Sequence, residues 1–431
     1  MLSGFLAPAL ARRGIHYGWA MVAVTFLTML STSAAMGMAG ILIVPLRGEF
    51  GWDTTTVSGP LALRLALFGV MGPFAAALMQ RFGIRATVGC ALSLIMAGLA
   101  LGALKMNSIG EMWLYYGVLV GLGTGLSAMV LAATVANRWF TARRGLVMGL
   151  LGASTATGQL AFLPLAAWLA QTYGWRNALV PAAVACVVCL VLLVLVVRDY
   201  PAQLGLAPYG EDKIVPVPPR AGANAFVVSL RMLREASGHR VFWMLFGTFF
   251  ICGLSTNGLV QQHFIPMCFD FGMTEVAAAS VLAMMGIFDF FGTIGSGYLS
   301  DRYDSRKLLF WYYLLRGFSL MWLPFSDFSI FGLSLFAVFF GLDFIATVPP
   351  TVKIAGTAFG REKAPLVFGW IFTGHQLGAA SAAYGAGISR DILASYLPAF
   401  FFAGAACVVA ALAAMLVRDA RTRPAGVTAA T

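Results

Sequence analysis

The sequence has little charge. Only 10% of its 431 residues are Asp, Glu, Lys or Arg, whereas about a quarter of the residues in a typical soluble domain are charged. This scarcity excludes an ordinary soluble enzyme or a nucleic-acid-binding domain. Hydrophobic residues make up 60% of the chain, and the mean hydropathy of +0.85 fits a protein whose solvent is the lipid bilayer.

Catalytic and metal-binding motifs are also absent. The chain contains no HExxH, GxSxG, P-loop or paired catalytic carboxylates at a water boundary. Cys186 and Cys189 form a CxxC, but they lie in the apolar run ACVVCLVLLVLVV without a second pair or a neighbouring histidine. We interpret them as small packing residues. The sequence therefore indicates no enzyme, no metal and no other cofactor.

The apolar segments predict an all-α membrane protein with twelve transmembrane helices. A spanning helix needs roughly 20 apolar residues. The predicted spans, in chain order, are roughly 18–44, 56–79, 86–104, 112–137, 145–169, 177–197, 241–264, 276–299, 308–325, 329–352, 365–388 and 394–417. Asp53 and the following threonines supply N-cap residue types for the second span.

Basic residues alternate between the two sides of these spans. One set of connections holds 22 Lys and Arg residues, including Arg361, Arg418, Arg421 and Arg423, and the other holds only four. The positive-inside rule therefore predicts that both termini lie in the cytoplasm and that the net charge of +11 reflects topology in the inner membrane. We expect an N-terminal bundle at 1–197, a cytoplasmic connector at 198–240, and a C-terminal bundle at 241–431 ending in a short tail.

An internal repeat relates the two halves. The loop RFGIR after the second span corresponds to DRYDSR after the eighth span, and Arg81 and Arg302 in these loops are 221 positions apart. GLVMG at the start of span five is answered 220 positions later by PLVFG at the start of span eleven. Because six spans separate the copies, both keep one orientation, which predicts a parallel pseudo-two-fold repeat typical of transporters.

These motifs resemble the major facilitator superfamily. GYLSDRYDSRK at 297–307 resembles the superfamily's loop signature, and the resemblance implies two six-helix bundles in which Arg81, Asp301, Arg302 and Arg306 hold one face closed. Gln80 departs from the family's usual aspartate. EFGW at 49–52, RWFTARRGLVMG at 138–149 and YGWR at 173–176 resemble the bacterial branch of monocarboxylate porters and oxalate/formate exchangers.

Two departures bear on a carboxylate cargo. Thr293 stands where that branch often has an arginine. Animal monocarboxylate carriers also use a lysine in span one, and the spans of this chain contain no interior lysine. Asp289 matches the acidic position that animal monocarboxylate carriers use in proton coupling. His375 resembles by position the span-eleven lysine of oxalate/formate exchangers.

Five ionisable residues lie inside the predicted spans, where each costs at least about 2.5 kcal/mol without a partner or water. They are Arg64, Asp289, Arg316, Asp343 and His375. Asp289, Asp343 and His375 are candidates for proton coupling, because burial disfavours the charged carboxyl and histidine titrates near neutral pH. Alternatively, Arg316 and one aspartate form a static ion pair, with Asp343 as the structural partner, and His375 is a packing histidine.

Candidate substrate ligands lie in both halves. Arg64 is the candidate anion site of the N-terminal half, with an ion pair or snorkelling as the alternatives. An uncharged polar run in span seven is expected to line the entry, and it consists of Asn257, Gln261, Gln262 and His263. Asn257 and Gln261 are its candidate ligands, and His375 is a further one. A capping role at a helix end broken by Pro266 is the alternative for that run.

The sequence thus predicts a secondary transporter for a small organic anion, working by alternating access with proton coupling or exchange. The expected partners are the bilayer, the cargo and protons, without nucleic acid and with a monomeric chain. An efflux carrier for drugs or amphiphiles is the alternative. The GPxxGG element typical of such exporters is missing from span five, which reads GLLGASTATGQLAFLP at 149–164.

Overall fold

The computed structural model describes residues 3–127, 129–217, 224–360 and 363–417. Some residues of the predicted charge asymmetry lie outside the described residues, as does most of the predicted C-terminal tail: Arg220, Arg361, Arg418, Arg421 and Arg423. The described chain is helical, and its helices form the two six-helix bundles of the predicted fold class.

The first bundle contains the helices up to residue 196. They are α1 Ser3–Ala11, α2 Gly18–Gly37, α3 Ala39–Phe50, α4 Thr54–Phe82, α5 Ile84–Lys105, α6 Ile109–Met112, α7 Gly121–Leu126, α8 Met129–Trp139, α9 Arg144–Tyr173, α10 Trp175–Ala178 and α11 Val180–Val196. The pair α2–α3 forms span 1, α4 span 2, α5 span 3, α6–α8 span 4, α9 span 5 and α10–α11 span 6.

The connector and the second bundle contain the remaining helices. They are α12 Asn224–Ser237, α13 Arg240–Gly253, α14 Gln261–Asp270, α15 Glu275–Arg302, α16 Ser305–Trp322, α17 Ile330–Asp343, α18 Val348–Phe359, α19 Ala364–Leu393 and α20 Leu397–Met415. The pair α13–α14 forms span 7, α15 span 8, α16 span 9, α17–α18 span 10, α19 span 11 and α20 span 12. Short 3₁₀ helices occupy Pro201–Leu204 and Leu323–Phe325.

Nine helical stretches of the described chain are long and apolar enough to cross a membrane by length and composition alone. Helices α9, α16 and α19 complete the twelve spans of the fold. Helix α16 shows why composition alone misses some of them, because its 18 residues include Arg306, Lys307 and Arg316. Apolar side chains also cover much of the outside of the bundle; Val184, Val188 and Val191 of α11 are about half exposed, as a lipid-facing surface requires.

Four spans depart from regular α-helix near their middle. Span 1 changes helix at Met38, and span 10 is interrupted between Asp343 and Val348. Spans 4 and 7 contain π-helical segments, Trp113–Val120 and Leu254–Val260. Interrupted helices expose backbone groups that can bind ions or substrate, and transporters place their sites there.

The two bundles meet most extensively along spans 2 and 11, and also along spans 5 and 8 and spans 1 and 7. We call the end of the molecule that carries the connector the connector face, and the opposite end, with the loops at 51–53 and 271–274, the distal face. The rings of Phe68 and Phe372 lie 5.7 Å apart between the two helices. Nearer the connector face, Phe74 makes an edge contact with Trp370 at 5.9 Å.

The connector contains a helix that the sequence analysis did not predict. One face of α12 packs on both bundles: Phe226 stacks on Phe74 of span 2 at 5.4 Å, and Trp370 of span 11 donates its indole N–H to the Ser229 carbonyl at 3.0 Å. Glu235 of α12 forms an ion pair with Lys363. The helix therefore bridges the two halves at the connector face.

Spans 7 and 11 approach each other backbone to backbone within the second bundle. A Cβ atom at Gly253 would overlap the carbonyl oxygen of His375, and one at Gly378 would overlap the carbonyl oxygen of Phe250. Only glycine permits this separation. In the first bundle, Cys186 and Cys189 are buried in the core, as the packing interpretation predicts.

Candidate functional site

Arg64 of span 2 is fully buried and binds the break in span 1. Its Nη1 donates to the carbonyl oxygens of Ala35 at 3.2 Å and Met36 at 3.0 Å, at the end of α2. The guanidinium carbon lies 5.2 Å from the ring centre of Tyr116, whose hydroxyl also donates to Ala35. The carbonyl groups next to the break and an aromatic face therefore hold the buried cation.

The guanidinium of Arg64 retains binding capacity. Its Nε is buried without a hydrogen-bond partner, and its Nη2 donates to the neutral Gln262 amide oxygen at 3.2 Å. Within the described part of the chain, no carboxylate forms an ion pair with Arg64. The Nε–Nη2 edge is the edge that binds a carboxylate with two parallel hydrogen bonds.

Span 7 supplies the residue that contacts Arg64, but it is Gln262 and not the predicted Gln261. Gln262 also donates from its Nε2 to the Asn257 carbonyl at 3.0 Å. The predicted ligand Asn257 therefore contacts this group through its backbone. Gln261 is buried, and its carbonyl lies 3.0 Å from where a Cβ of Gly40 in span 1 would stand.

The alternative of a helix end broken by Pro266 is wrong. Helix α14 continues through Pro266 to Asp270, because neighbouring helices bury this stretch and a proline removes only one backbone donor. The polar run thus lies within a continuous part of span 7, at the contact between the two bundles.

Asp289 of span 8 binds the interruption of span 10. Its Oδ1 accepts the backbone N–H of Ile345 at 2.9 Å and the hydroxyl of Thr293 at 3.1 Å. In the described chain, Asp289 makes no ion pair and its Oδ2 accepts no hydrogen bond. The side chain is 5% exposed, so a carboxyl group with one free oxygen is held in place by neutral donors.

Arg316 and Asp343 form a buried ion pair. The Arg316 Nε lies 2.6 Å from Asp343 Oδ2, and its Nη2 donates to the Asp343 backbone carbonyl at 2.5 Å. This geometry corresponds to the static pair predicted as the alternative for Arg316. It ties peripheral span 9 to span 10 just where α17 ends.

Cys252 and His375 lie beside this pair. Arg316 Nη1 donates to Cys252 Sγ at 3.0 Å, and the same sulfur lies 3.2 Å from Thr347 Oγ1. Sequence reasoning did not assign Cys252 these polar contacts. His375 is 7% exposed, and its ring lies 4.8 Å from that of Phe249 and 5.6 Å from that of Phe372. Its Nδ1 lies 3.3 Å from the side-chain amide of the next residue.

The predicted gating residues lie at the connector face, and three of them are exposed. Arg81 contacts the ring of its neighbour Phe82 at 5.1 Å, and Arg302 contacts the ring of Tyr298 at 4.2 Å. Asp301 is exposed as well. The structure does not bring these three residues into contact with the other bundle in the residues it describes.

Arg306 has a well-defined role at the same face. It forms an ion pair with Asp304, with Nη2 2.7 Å from Oδ2, and its Nη1 donates to the carbonyl of Val417 at 3.2 Å, at the end of span 12. The hydrogen bond from the Arg306 guanidinium holds the pKa of the Asp304 carboxyl below its usual value. The loop between spans 8 and 9 is thus fixed to its own bundle.

Two further basic residues cap helix ends in matching positions of the repeat. Arg138 of span 4 donates to the carbonyl of Met79 at 3.1 Å, and Lys353 of span 10 donates to the carbonyl of Ser300. Met79 and Ser300 are 221 positions apart, like the loop arginines. In the second copy Asp304 accepts the backbone N–H of Arg306 at 2.9 Å. In the first copy Gly83 stands at the position of Asp304, and Asp199 accepts the corresponding N–H of Arg85 at 3.2 Å.

Comparisons with known proteins agree with this architecture. The model of the Major Facilitator Superfamily matches residues 24–383 and 263–431, and this chain belongs to that superfamily. It is therefore a multi-pass membrane transporter and not an enzyme, which confirms the predicted class and fold.

The similar proteins include animal and bacterial carriers. Monocarboxylate transporter 13 of Bos taurus is 26% identical over 392 residues, covering 90% of this chain and 86% of the relative. The uncharacterized MFS-type transporter YcxA of Bacillus subtilis (strain 168) is 24% identical over 405 residues, covering 88% and 90%. The inward open conformation of the xylose transporter XylE from E. coli shares the fold, with a TM-score of 0.71 and 14% identity over 94% of this chain and 98% of that one.

Proposed function

We propose that this transporter carries a small organic anion whose carboxylate binds the Nε–Nη2 edge of Arg64. The observation that carries the proposal is a fully buried guanidinium whose Nε has no partner and whose other donors meet only neutral groups. A buried charge without a counter-ion is costly, and an anionic cargo would supply the missing charge. Relatives named as monocarboxylate transporters support the same cargo class.

We further propose that Asp289 carries a coupling proton. It is buried, it forms no ion pair within the described chain, and one of its oxygens accepts no hydrogen bond there and can hold a proton. Asp343, the second candidate, is engaged by Arg316, and His375 lies against aromatic rings. Asp289 is therefore the group best placed to gain and lose charge during a cycle.

The proposal includes the orientation in the cell. The alternating basic loops support cytoplasmic termini and a cytoplasmic connector face in a bacterial inner membrane. The distal face would then be the outer face. Because one chain contains both bundles of the rocking carrier, we propose that it works as a monomer.

Uptake by proteoliposomes tests the cargo. Purified protein is reconstituted, and the entry of labelled lactate, oxalate and an aromatic acid is measured with and without an inward pH gradient. Arg64→Lys keeps the positive charge but removes the pair of parallel hydrogen bonds that a guanidinium donates to a carboxylate. We therefore expect the KM for the anion to rise about 10- to 100-fold. Arg47→Lys, the same substitution in the last turn of α3, is the matched control and should leave the KM unchanged.

Two outcomes would contradict the anion proposal. One is anion uptake with an unchanged KM in Arg64→Lys. The other is no anion uptake by the wild type while overexpression confers resistance to antimicrobials, which favours the efflux alternative. For the proton, Asp289→Asn should abolish gradient-driven accumulation and preserve anion exchange; unchanged accumulation contradicts the assigned role.

A further inference from the structure

The start of span 2 is capped by a residue from the other bundle. The first N–H groups of a helix have no partner within the helix. In α4, the backbone N–H of Thr54 donates to Asp391 Oδ1 at 3.1 Å, and that of Thr55 donates to Asp391 Oδ2 at 2.6 Å. Asp391 lies in the last turn of α19 in span 11. A negative side chain at this position also interacts favourably with the helix dipole.

The residue that should cap this helix locally does not do so. Asp53 precedes α4 with φ −67° and ψ 157°, which is the extended backbone of an N-cap residue. Aspartate is also among the best N-cap residue types. Its side chain is nevertheless exposed and makes no capping hydrogen bond, contrary to the sequence expectation. The Asp391 carboxylate instead occupies the N–H groups of Thr54 and Thr55. Because the Asp53 backbone already has the N-cap conformation, a capping hydrogen bond from this residue requires a change of its side chain and not of its backbone.

The repeat shows that this arrangement belongs to the first copy only. Thr274 lies 221 positions after Asp53, at the offset of the loop arginines. Its hydroxyl accepts the N–H of Ala277 at 3.3 Å, so it caps its own helix α15. The position that corresponds to Asp391 in the first bundle, 221 residues earlier, is Ala170. The second bundle therefore supplies a helix cap to the first bundle, whereas Ala170 cannot supply the corresponding cap to the second.

The contact lies where the bundles must separate if the distal face is to open. Next to Asp391, Arg390 pairs with Asp270 of span 7, with Nε 2.6 Å from Oδ2, so the end of α19 is fixed to its own bundle. One turn earlier, a Cβ at Gly387 would lie 2.8 Å from Ser58 Oγ of span 2. At this spacing, α4 and α19 cannot move apart at the distal face while Asp391 keeps its two hydrogen bonds.

We infer that Asp391 and Asp53 alternate as the cap of span 2: Asp391 when the distal face is closed, and Asp53 when it is open. The exchange keeps the end of α4 capped in both states: as the N-cap residue, Asp53 can accept the N–H of Thr55 or Thr56 when Asp391 has moved away. Each carboxylate then stabilises one state over the other. This inference concerns the movement of the bundles and holds for any cargo.

Distances between the bundles test the exchange. Spin labels are placed on Tyr173→Cys in span 5 and Phe331→Cys in span 10, two exposed positions at the distal face of opposite bundles, in full-length protein with Cys90→Ser. Among the native cysteines, Cys90 is the exposed one. Double electron–electron resonance in nanodiscs gives the ratio of open to closed distal faces.

The two alanine variants should move this ratio in opposite directions. Asp391→Ala removes the cap of the closed state and should raise the open-to-closed ratio about fivefold, whereas Asp53→Ala should lower it about fivefold. The double variant should return close to the wild-type ratio. Asp53 is exposed, so its variant is expected to fold and tests the inference alone.

Several results would overturn the inference. The first is an open-to-closed ratio of Asp53→Ala equal to that of the wild type. The second is a change of this ratio in the same direction in both single variants. The third is a ratio of the double variant that differs severalfold from that of the wild type. None of these readings depends on anion transport, so failure of the exchange and failure of the proposed cargo are separate results.

Discussion

The substitution Asp343→Asn tests whether Asp343 is a structural residue or a proton-coupling residue. Arg316 is 1% exposed, and its Nε lies 2.6 Å from Asp343 Oδ2. Asparagine keeps the backbone carbonyl that accepts from Nη2 but removes the negative charge. Breaking a buried ion pair by removing one partner costs about 3–5 kcal/mol. We therefore expect the unfolding equilibrium of Asp343→Asn to shift on the order of a thousandfold toward the unfolded state.

Asp289→Asn is the matched control, because it removes the same charge from a neighbouring span. The two donors to Asp289, the Ile345 N–H and the Thr293 hydroxyl, are neutral, and an amide oxygen can accept from both. We expect a change in stability within about 1 kcal/mol. Protein in one detergent is heated in steps, and the fraction that stays monodisperse by size-exclusion chromatography gives the apparent melting temperature of each variant.

A double replacement completes the experiment. Arg316→Met with Asp343→Leu removes both charges, and buried pairs replaced by apolar residues of similar size are often as stable as the original. The double variant should melt near the wild type and well above Asp343→Asn. The reasoning is refuted if Asp343→Asn melts with the wild type, or if Asp289→Asn is destabilised as strongly as Asp343→Asn.

Three further predictions follow from single contacts. Gln262→Glu should place a built-in carboxylate on Arg64, 3.2 Å away in the wild type, and abolish anion uptake while Gln262→Ala preserves it; uptake by the glutamate variant at the wild-type rate contradicts this. Gly253→Ala should cost about 1–3 kcal/mol from overpacking, measured as a lower apparent melting temperature, whereas Gly247→Ala, with open space around its Cβ, should melt like the wild type. Trp370→Phe removes the hydrogen bond to α12, worth about 1 kcal/mol, so trypsin should cleave α12 faster than in the wild type; an equal rate argues against a role of the indole in holding α12.

The fold was predictable because the bilayer imposes strong rules on sequence. Apolar length and the repeat were sufficient to predict twelve helices in two bundles. Helix α12 was not predicted, because it stands in the one polar, proline-containing stretch and its stability comes from Phe74 and Trp370 of the bundles. Its sequence does carry a helical signal, because Phe226, Ser229 and Leu233 recur at helical spacing on the less exposed face, but this pattern is short beside the apolar spans.

The individual residues of the site were predictable from the sequence, but most of the contacts between them were not. The high energy of charge in a bilayer identifies Arg64, Asp289 and Arg316 from the sequence alone. The pairing of Arg316 with Asp343 was one of the predicted alternatives. The sequence could not decide between it and a coupling role for Asp343, because both aspartates lie at similar depth and the rotation of each helix about its axis determines the contact. Gln262 belonged to the predicted polar run, but Gln261 was chosen from it as the ligand. Which of the two neighbours faces Arg64 depends on the π-helical segment Leu254–Val260, which shifts the angular phase of the residues after it.

The two halves of the repeat differ in the buried ionic groups that they contain. The unpaired guanidinium lies in the first bundle, at Arg64, and the buried carboxylates Asp289 and Asp343 lie in the second. Under the proposed function, the first bundle sets the choice of cargo and the second sets the driving force. A chimera joined within the connector to a relative's half would therefore inherit cargo selectivity from one parent and energetic coupling from the other.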